Sequence, residues 1–495
     1  MMSRIKIIIA LAISAIFSWR GIGVEFAAPF TDGCVLQRNV PVTVWGTAEV
    51  GETVQVTFGE QRVSTMADAN KRWQVRLEPL VASSEGRVLS ANDRYVKDVL
   101  VGEVWLCAGQ SNAEMPLCGR YSRYRDRTGA LVAAMTHKPL VRLASISGKP
   151  WSAETHSAPT LPIKWNACVP ENAGMSCFSA LGVYFALELH SALNVPVGII
   201  GAYKGATPIE AWIPPSAFEE RDDLKGYPAY PPASSERWKH SMTNAFVRYG
   251  GYQQPCVQWN ACVAPWVPYA VKGVVWYQGC SNQWNAERYT ELQHALYDSW
   301  AKMFGNPKLA FRFVQVDAWE WKGGSTVPIQ LAQVRFASEE KNAAMAVISD
   351  IGNRWDAHPN EKSLVAKRLA ALALARDYGF ADIRADSPTL HEWHTEGNEA
   401  VLTFDNARSL YLYNPDNSLD STFEVLDADG QWVHAEIVNA EKKGLLRGSF
   451  PSNEVRLVAH GVSSPTAVRY LHCAPYVGNV FNEMNLPLGV FRAGK

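Results

Sequence analysis

A serine stands on a polar turn, Gly109-Gln110-Ser111-Asn112-Ala113, directly after the apolar run Val104 to Ala108. A serine on a tight turn after a buried strand is how hydrolases expose a nucleophilic hydroxyl. That hydroxyl is a poor nucleophile at neutral pH unless a base takes its proton as it attacks. Histidine suits the role because its pKa lies near neutrality, and a carboxylate beside it fixes the tautomer and stabilises the imidazolium. The run Asp356-Ala357-His358-Pro359 offers both residue types close together, and Asp350 precedes it. The negative oxygen of a tetrahedral intermediate also needs preorganised N–H donors, each worth about 3–4 kcal/mol of barrier. The backbone amides of Ser111 and Gly205 are candidates for two of them, and the side chain of Asn282 or Gln278 for a third. Position 113 is alanine, so the turn departs from the Gly-x-Ser-x-Gly elbow of α/β-hydrolases.

These residues must be held by strands. From about residue 100 to 390, apolar strand candidates alternate with helical patterns: Val195 to Ala202, Val271 to Tyr277, Leu309 to Val316 and Ala344 to Ser349 as strands, with Phe178 to Leu193, Ala286 to Phe304 and Glu361 to Tyr378 as helices. Gly379 is placed to cap the last helix. Such alternation predicts a parallel sheet covered on both faces, and ligands of such sheets bind beyond the carboxyl ends of the strands. There the strands deliver Ser111, then Lys204-Gly205-Ala206-Thr207, then Gln278-Gly279-Cys280-Ser281-Asn282, then Asp350 with Asp356 and His358. Taken singly, His358 suits a helix entry, Asp356 a helix cap and Asn282 a turn. Their recurrence at successive strand ends favours a hydrolase.

Residues 25 to 100 alternate apolar and polar side chains, as in Val42-Thr43-Val44-Trp45 and Thr53-Val54-Gln55-Val56-Thr57-Phe58, and predict a small β-module. Short strands return after about 393, with Asp429-Gly430 as a hairpin turn before Gln431-Trp432-Val433. With 495 residues, 47% hydrophobic and 19% charged, the chain is globular and long enough for two or three domains. Its net charge of −1 leaves no electrostatic footprint for nucleic acid. Arg4 and Lys6 before the apolar run Ile7 to Phe17 predict a secretory signal peptide over residues 1–22, and hence export. No membrane span is expected in the mature chain. Export permits disulfides among the nine cysteines, and Cys256 with Cys262, or Cys168 with Cys177, are close enough in sequence to pair. His391 and His394 have metal-like spacing in an expected linker without a third ligand, so no metal site is predicted.

Several blocks together resemble the bacterial sialate O-acetylesterases of the SGNH-hydrolase superfamily. They are Val104-Trp105-Leu106-Cys107-Ala108-Gly109-Gln110-Ser111-Asn112-Ala113-Glu114-Met115-Pro116-Leu117, Thr207-Pro208-Ile209-Glu210-Ala211-Trp212, Val275-Trp276-Tyr277-Gln278-Gly279, and Asp350-Ile351-Gly352 with Asp356-Ala357-His358-Pro359. Cys34-Val35-Leu36-Gln37-Arg38, Pro41 to Gly46, Leu486-Pro487 and Phe491-Arg492 extend the likeness over nearly the whole chain. The resemblance implies an α/β fold: a three-layer, flavodoxin-like parallel-sheet esterase domain over 101–392, flanked by β-sandwich-like modules over 23–100 and 393–495. It implies removal of O-acetyl groups from a sugar through a serine acyl-enzyme, with no cofactor. Ser111 is then the nucleophile, His358 the base and Gly205 the oxyanion glycine. Asp356 is the chosen acid and Asp350 the alternative, because the superfamily's usual acid position holds Trp355 here.

The family usually has methionine at Ala113, a second glycine at Ala206 and glutamate at Cys280. O-acetylated sialic acid is the expected substrate, acetylated xylan the alternative, and a carbohydrate-binding homologue that has lost turnover the second alternative. Trp212, Trp276, Trp284 and Trp355 lie beside the expected site as possible sugar platforms, and Arg120, Arg123 and Arg125 as possible partners of a substrate carboxylate.

Overall fold

The computed structural model describes residues 23–494 apart from 119–125, 147–162, 225–250, 322–323, 353–355, 415–420, 444–446 and 473–476. The expected signal peptide, Trp355 and the three arginines therefore lie outside the described residues.

The central sheet is built from β1 (Arg94–Gly109), β2 (Lys138–Ile146), β3 (Ile163–Cys168), β4 (Val197–Tyr203), β5 (Gly273–Tyr277), β6 (Ala310–Val314) and β7 (Ala343–Ala346). Their order is β3-β2-β4-β1-β5-β6-β7. All neighbours run parallel except β3, which pairs antiparallel with β2. Every residue of β5 and β6 is buried. Strands buried on both faces read as near-continuous apolar runs, broken in β6 only by Arg312, which pairs with Asp377, and so they were legible without alternation.

Five helices position the strand ends: α1 (Ser111–Glu114), α2 (Ala180–Leu193), α3 (Tyr289–Met303), α4 (Val327–Glu339) and α5 (Lys362–Asp377). Helix α2 packs against α5, and α3 against α4. Ser179 caps α2 by accepting the Gly182 amide at 3.1 Å, and Asn194 closes it in the left-handed region. Gly379, with φ 75°, follows α5 as expected. The helix expected from Ala286 begins at Tyr289 instead. Residues Cys280–Arg288 wind as 3-10 turns broken at Asn285. The Asn285 side chain donates to Glu210 Oε1 at 2.8 Å, so this segment is tied sideways rather than wound into the helix.

The N-terminal residues form short strands, with Val54, Val56 and Phe58 buried on one face of the strand Thr53–Phe58. β1 runs through position 100: its first half pairs with the strand Ser83–Ala91, and its second half with β4 and β5. Both halves share one apolar core. Among the described residues, the C-terminal strands form three four-stranded sheets around a second core that includes Leu402, Phe404, Phe423, Val425 and Leu457. The predicted hairpin at Gly430 joins Phe423–Leu426 to Trp432–His434.

Two readings of lone side chains are corrected. None of the eight described cysteines forms a disulfide. Cys168 Sγ instead faces Met175 Sδ at 3.5 Å, and Cys262 Sγ faces Gln258 Oε1 at 3.5 Å. His391 and His394 lie on the strand Thr389–Glu396 rather than in a linker, paired with Asp405 and Glu396.

Candidate active site

The carboxyl edge of the sheet carries a pocket of about 780 Å³, lined in part by Gln110, Ser111, Gly205, Ala206, Glu210, Cys280, Ser281, Trp284, Trp319 and His358. That is the size of a small-ligand site. Gly109 makes the turn possible. Its φ is 136°, and a Cβ there would lie 2.2 Å from the Tyr277 carbonyl of β5. Ser111 is the first residue of α1, where the helix leaves the N–H without an internal partner.

Ser111 Oγ lies 2.8 Å from His358 Nε2. On the other side of the ring, His358 Nδ1 is 3.1 Å from Asp356 Oδ1, which also accepts the His358 backbone amide at 3.0 Å. A serine, a histidine and a carboxylate thus stand in a line, the arrangement that can pass a proton from hydroxyl to imidazole. Asp350 is elsewhere. Both of its oxygens accept from the Arg368 guanidinium at 2.7 Å.

Three of the four expected oxyanion donors, those of Gly205, Gln278 and Asn282, already donate to protein groups. Gly205 lines the pocket, but its N–H donates to Glu114 Oε2 at 2.5 Å. Gln278 and Asn282 are buried beneath the pocket. Gln278 Nε2 donates to Asn282 Oδ1 at 2.8 Å and to the Thr207 carbonyl at 3.1 Å. Asn282 Nδ2 donates to Glu210 Oε2 at 2.8 Å, and its Oδ1 also accepts the Ile209 amide at 2.9 Å. Buried amides must satisfy their hydrogen bonds internally, so these two side chains brace the strand ends instead of facing substrate. Gln110 is the polar side chain that sequence reasoning passed over. Its Oε1 accepts the amides of Gly279 at 3.2 Å and Ser281 at 3.4 Å. This leaves its NH₂ as the end available to the pocket that Gln110 lines. Its adjacency to Ser111 was the available signal.

Trp212 and Trp276 are fully buried core residues, meeting edge to face at 6.0 Å. Trp284, 62% exposed, and Trp319 line the pocket. Ala206 has φ 59°, a left-handed conformation suited to the family's usual glycine. Cys280 touches the pocket, but burial pushes its thiol well up, which keeps it protonated and unreactive. No group of three or more metal-ligating side chains occurs among the described residues.

A sheet edge with this pocket and this line of groups defines an α/β ester hydrolase. The family model for carbohydrate esterase, sialic acid-specific acetylesterase, matches residues 101–373, and the chain belongs to that family. It is 26% identical over 481 residues to the sialate O-acetylesterase of Mus musculus, covering 87% of each chain. It is 27% identical over 462 residues to the sialate O-acetylesterase of Homo sapiens, covering 86% of this chain and 84% of the relative. A solved carbohydrate acetylesterase from Xanthomonas citri superposes with a TM-score of 0.80 at 28% identity, covering 95% of this chain and all of that one.

Proposed function

We propose that the protein removes O-acetyl groups from a sugar by a serine acyl-enzyme route. Ser111 Oγ attacks the acetyl carbonyl while His358 Nε2 takes its proton, and Asp356 holds the imidazole and stabilises its charge. The sugar hydroxyl leaves with that proton. Water, deprotonated by the same histidine, then releases acetate and restores Ser111. Ser111 N–H and Gln110 Nε2 are the oxyanion donors in this reading, and Gly205 lines the pocket beside Ser111. The observation that carries it is the 2.8 Å approach of Ser111 Oγ to His358 Nε2.

Sialic acid bearing O-acetyl groups is the proposed substrate, because the relatives named above are sialate O-acetylesterases. Acetylated xylan is the second reading. Trp284, exposed at the pocket, suits the flat face of either sugar. Export, the modules over 23–100 and 393–495, and helix pairs covering opposite faces of the sheet belong to the same proposal. The full burial of β5 and β6, which requires cover on both sides, supports the layered arrangement.

The test is hydrolysis of p-nitrophenyl acetate, followed by a panel of O-acetylated sialic acids against acetylated xylan oligosaccharides. The wild-type protein turns over the activated ester, and Ser111→Ala lowers kcat by at least about 10³-fold without changing the unfolding temperature. Wild-type protein inactive on every acetyl ester would leave the carbohydrate-binding reading standing.

A further inference from the structure

Beneath the pocket lies a cation that the proton-transfer line does not use. Lys362 is fully buried at the first position of α5. Both circumstances are unfavourable. Burial disfavours the ammonium, and the positive end of a helix dipole repels it. Burial lowers its pKa to about 8. An ammonium kept there needs strong local partners, and the structure provides them. Lys362 Nζ donates to Asn112 Oδ1 at 2.7 Å and to the Pro359 carbonyl at 2.5 Å. It also lies 5.2 Å from the centroid of the Tyr277 ring. Asn112, itself buried, donates from Nδ2 to the Ala357 carbonyl at 2.7 Å.

These bonds close a loop around the reacting pair. Asn112 follows Ser111 in the chain, and Ala357 and Pro359 flank His358. The Ser111 turn hangs from β1, whereas His358 sits on the segment after β7, far away in sequence. No strand pairing joins β1 to β7. We propose that Lys362 is a positioning residue, which through Asn112 clamps the 357–359 segment against the Ser111 turn and so sets the distance from Ser111 Oγ to His358 Nε2. The inference rests on the reading that these two residues carry the hydrolysis.

The experiment uses the full chain and p-nitrophenyl acetate, comparing Asn112→Ala, Lys362→Met and the double variant. Activity is expressed per folded molecule, the folded fraction being taken from the amplitude of cooperative unfolding. Misplacing a reacting group by about 1 Å can cost on the order of 100-fold. Each single variant is therefore expected to lower kcat by about 10- to 100-fold with KM changed less than about threefold. The double variant should be no worse than the poorer single one, because both cut the same clamp. A residue of merely structural importance would lower the folded fraction and leave kcat per folded molecule unchanged.

Wild-type kcat in Asn112→Ala, or a double variant whose loss is the product of the two single losses, overturns the proposal. If Lys362→Met does not fold, kcat of Asn112→Ala decides alone. Ser111→Ala separates the two levels of argument. If it abolishes turnover while Asn112→Ala is wild-type in kcat, the clamp fails and the esterase reading stands. If Ser111→Ala remains active, the esterase reading itself fails.

Discussion

At the scale of single residues, the site shows how burial reassigns a side chain's task. Gln278 and Asn282 have the chemistry of oxyanion donors, yet each amide is consumed by neighbouring groups. Asp317 shows the converse. It is fully buried, and neither carboxylate oxygen has a side-chain hydrogen-bond partner among the described residues. Burial raises its pKa to about 7, with the Lys362 ammonium opposing the rise. The folded state therefore holds a proton on Asp317 that the unfolded chain releases near pH 4. Stability contributed through this group is greatest below about pH 4 and declines as pH rises toward 7, because νN exceeds νU across that window. Replacing Asp317 by Asn removes that decline. Urea unfolding of both proteins at pH 4.5 and pH 7 is expected to show the Asn variant gaining on the wild type as pH rises. An Asn variant that loses stability relative to the wild type between pH 4.5 and pH 7 would contradict the assignment.

At the scale of elements, the decisive feature is the close approach of β1 and β5 at the Ser111 turn. The Tyr277 carbonyl accepts the Gln110 amide at 3.0 Å, which packs the two strand ends together over Gly109. A side chain at 109 would collide with that carbonyl and occupy an unfavourable φ. Gly109→Ala is therefore expected to cost at least about 2 kcal/mol of stability, read from denaturant midpoints, and to reduce activity with it. A variant of wild-type stability would show that the turn can relax at no cost. The strands and long helices were legible because their apolar runs and 3.6-residue periods are local. The start of α3 was not, because Asn285 answers to Glu210, which lies in the 3-10 turn Ile209–Trp212 after β4. The Ser111, His358 and Asp356 candidates could be found because each closes a recognisable local block. Gln110 and Lys362 could not, because their roles depend on which way a side chain points after folding.

At the scale of the whole molecule, the N- and C-terminal strands relate differently to the central sheet. The N-terminal strands share strand β1 and one apolar core with it, whereas the C-terminal strands enclose a core of their own. The C-terminal core still touches the sheet domain through Val327 of α4, and Ser349 Oγ donates to the Leu488 carbonyl at 2.9 Å. A chain beginning at residue 101 would lack the first half of β1 and the strands paired to it. It is expected to be insoluble or to lose cooperative unfolding. A chain ending at residue 392 keeps the whole of β1 and the shared core, and is expected to remain folded with a lowered unfolding temperature. Circular dichroism melts of the two truncated chains test this, and equal behaviour of both would contradict it.

The sequence by itself determined the alternation of strands and helices and the identities of Ser111, His358 and Asp356 as a possible reacting set. Those features are written in local order: apolar runs, helical periods and short polar blocks at strand ends. The tertiary structure alone decided that Asp350 turns instead to Arg368, which amides remain available at the pocket, and where the N-terminal strands join the sheet. Each of those outcomes depends on partners brought together from distant parts of the chain, where burial obliges every polar group to find a neighbour and so fixes what is left to face the substrate.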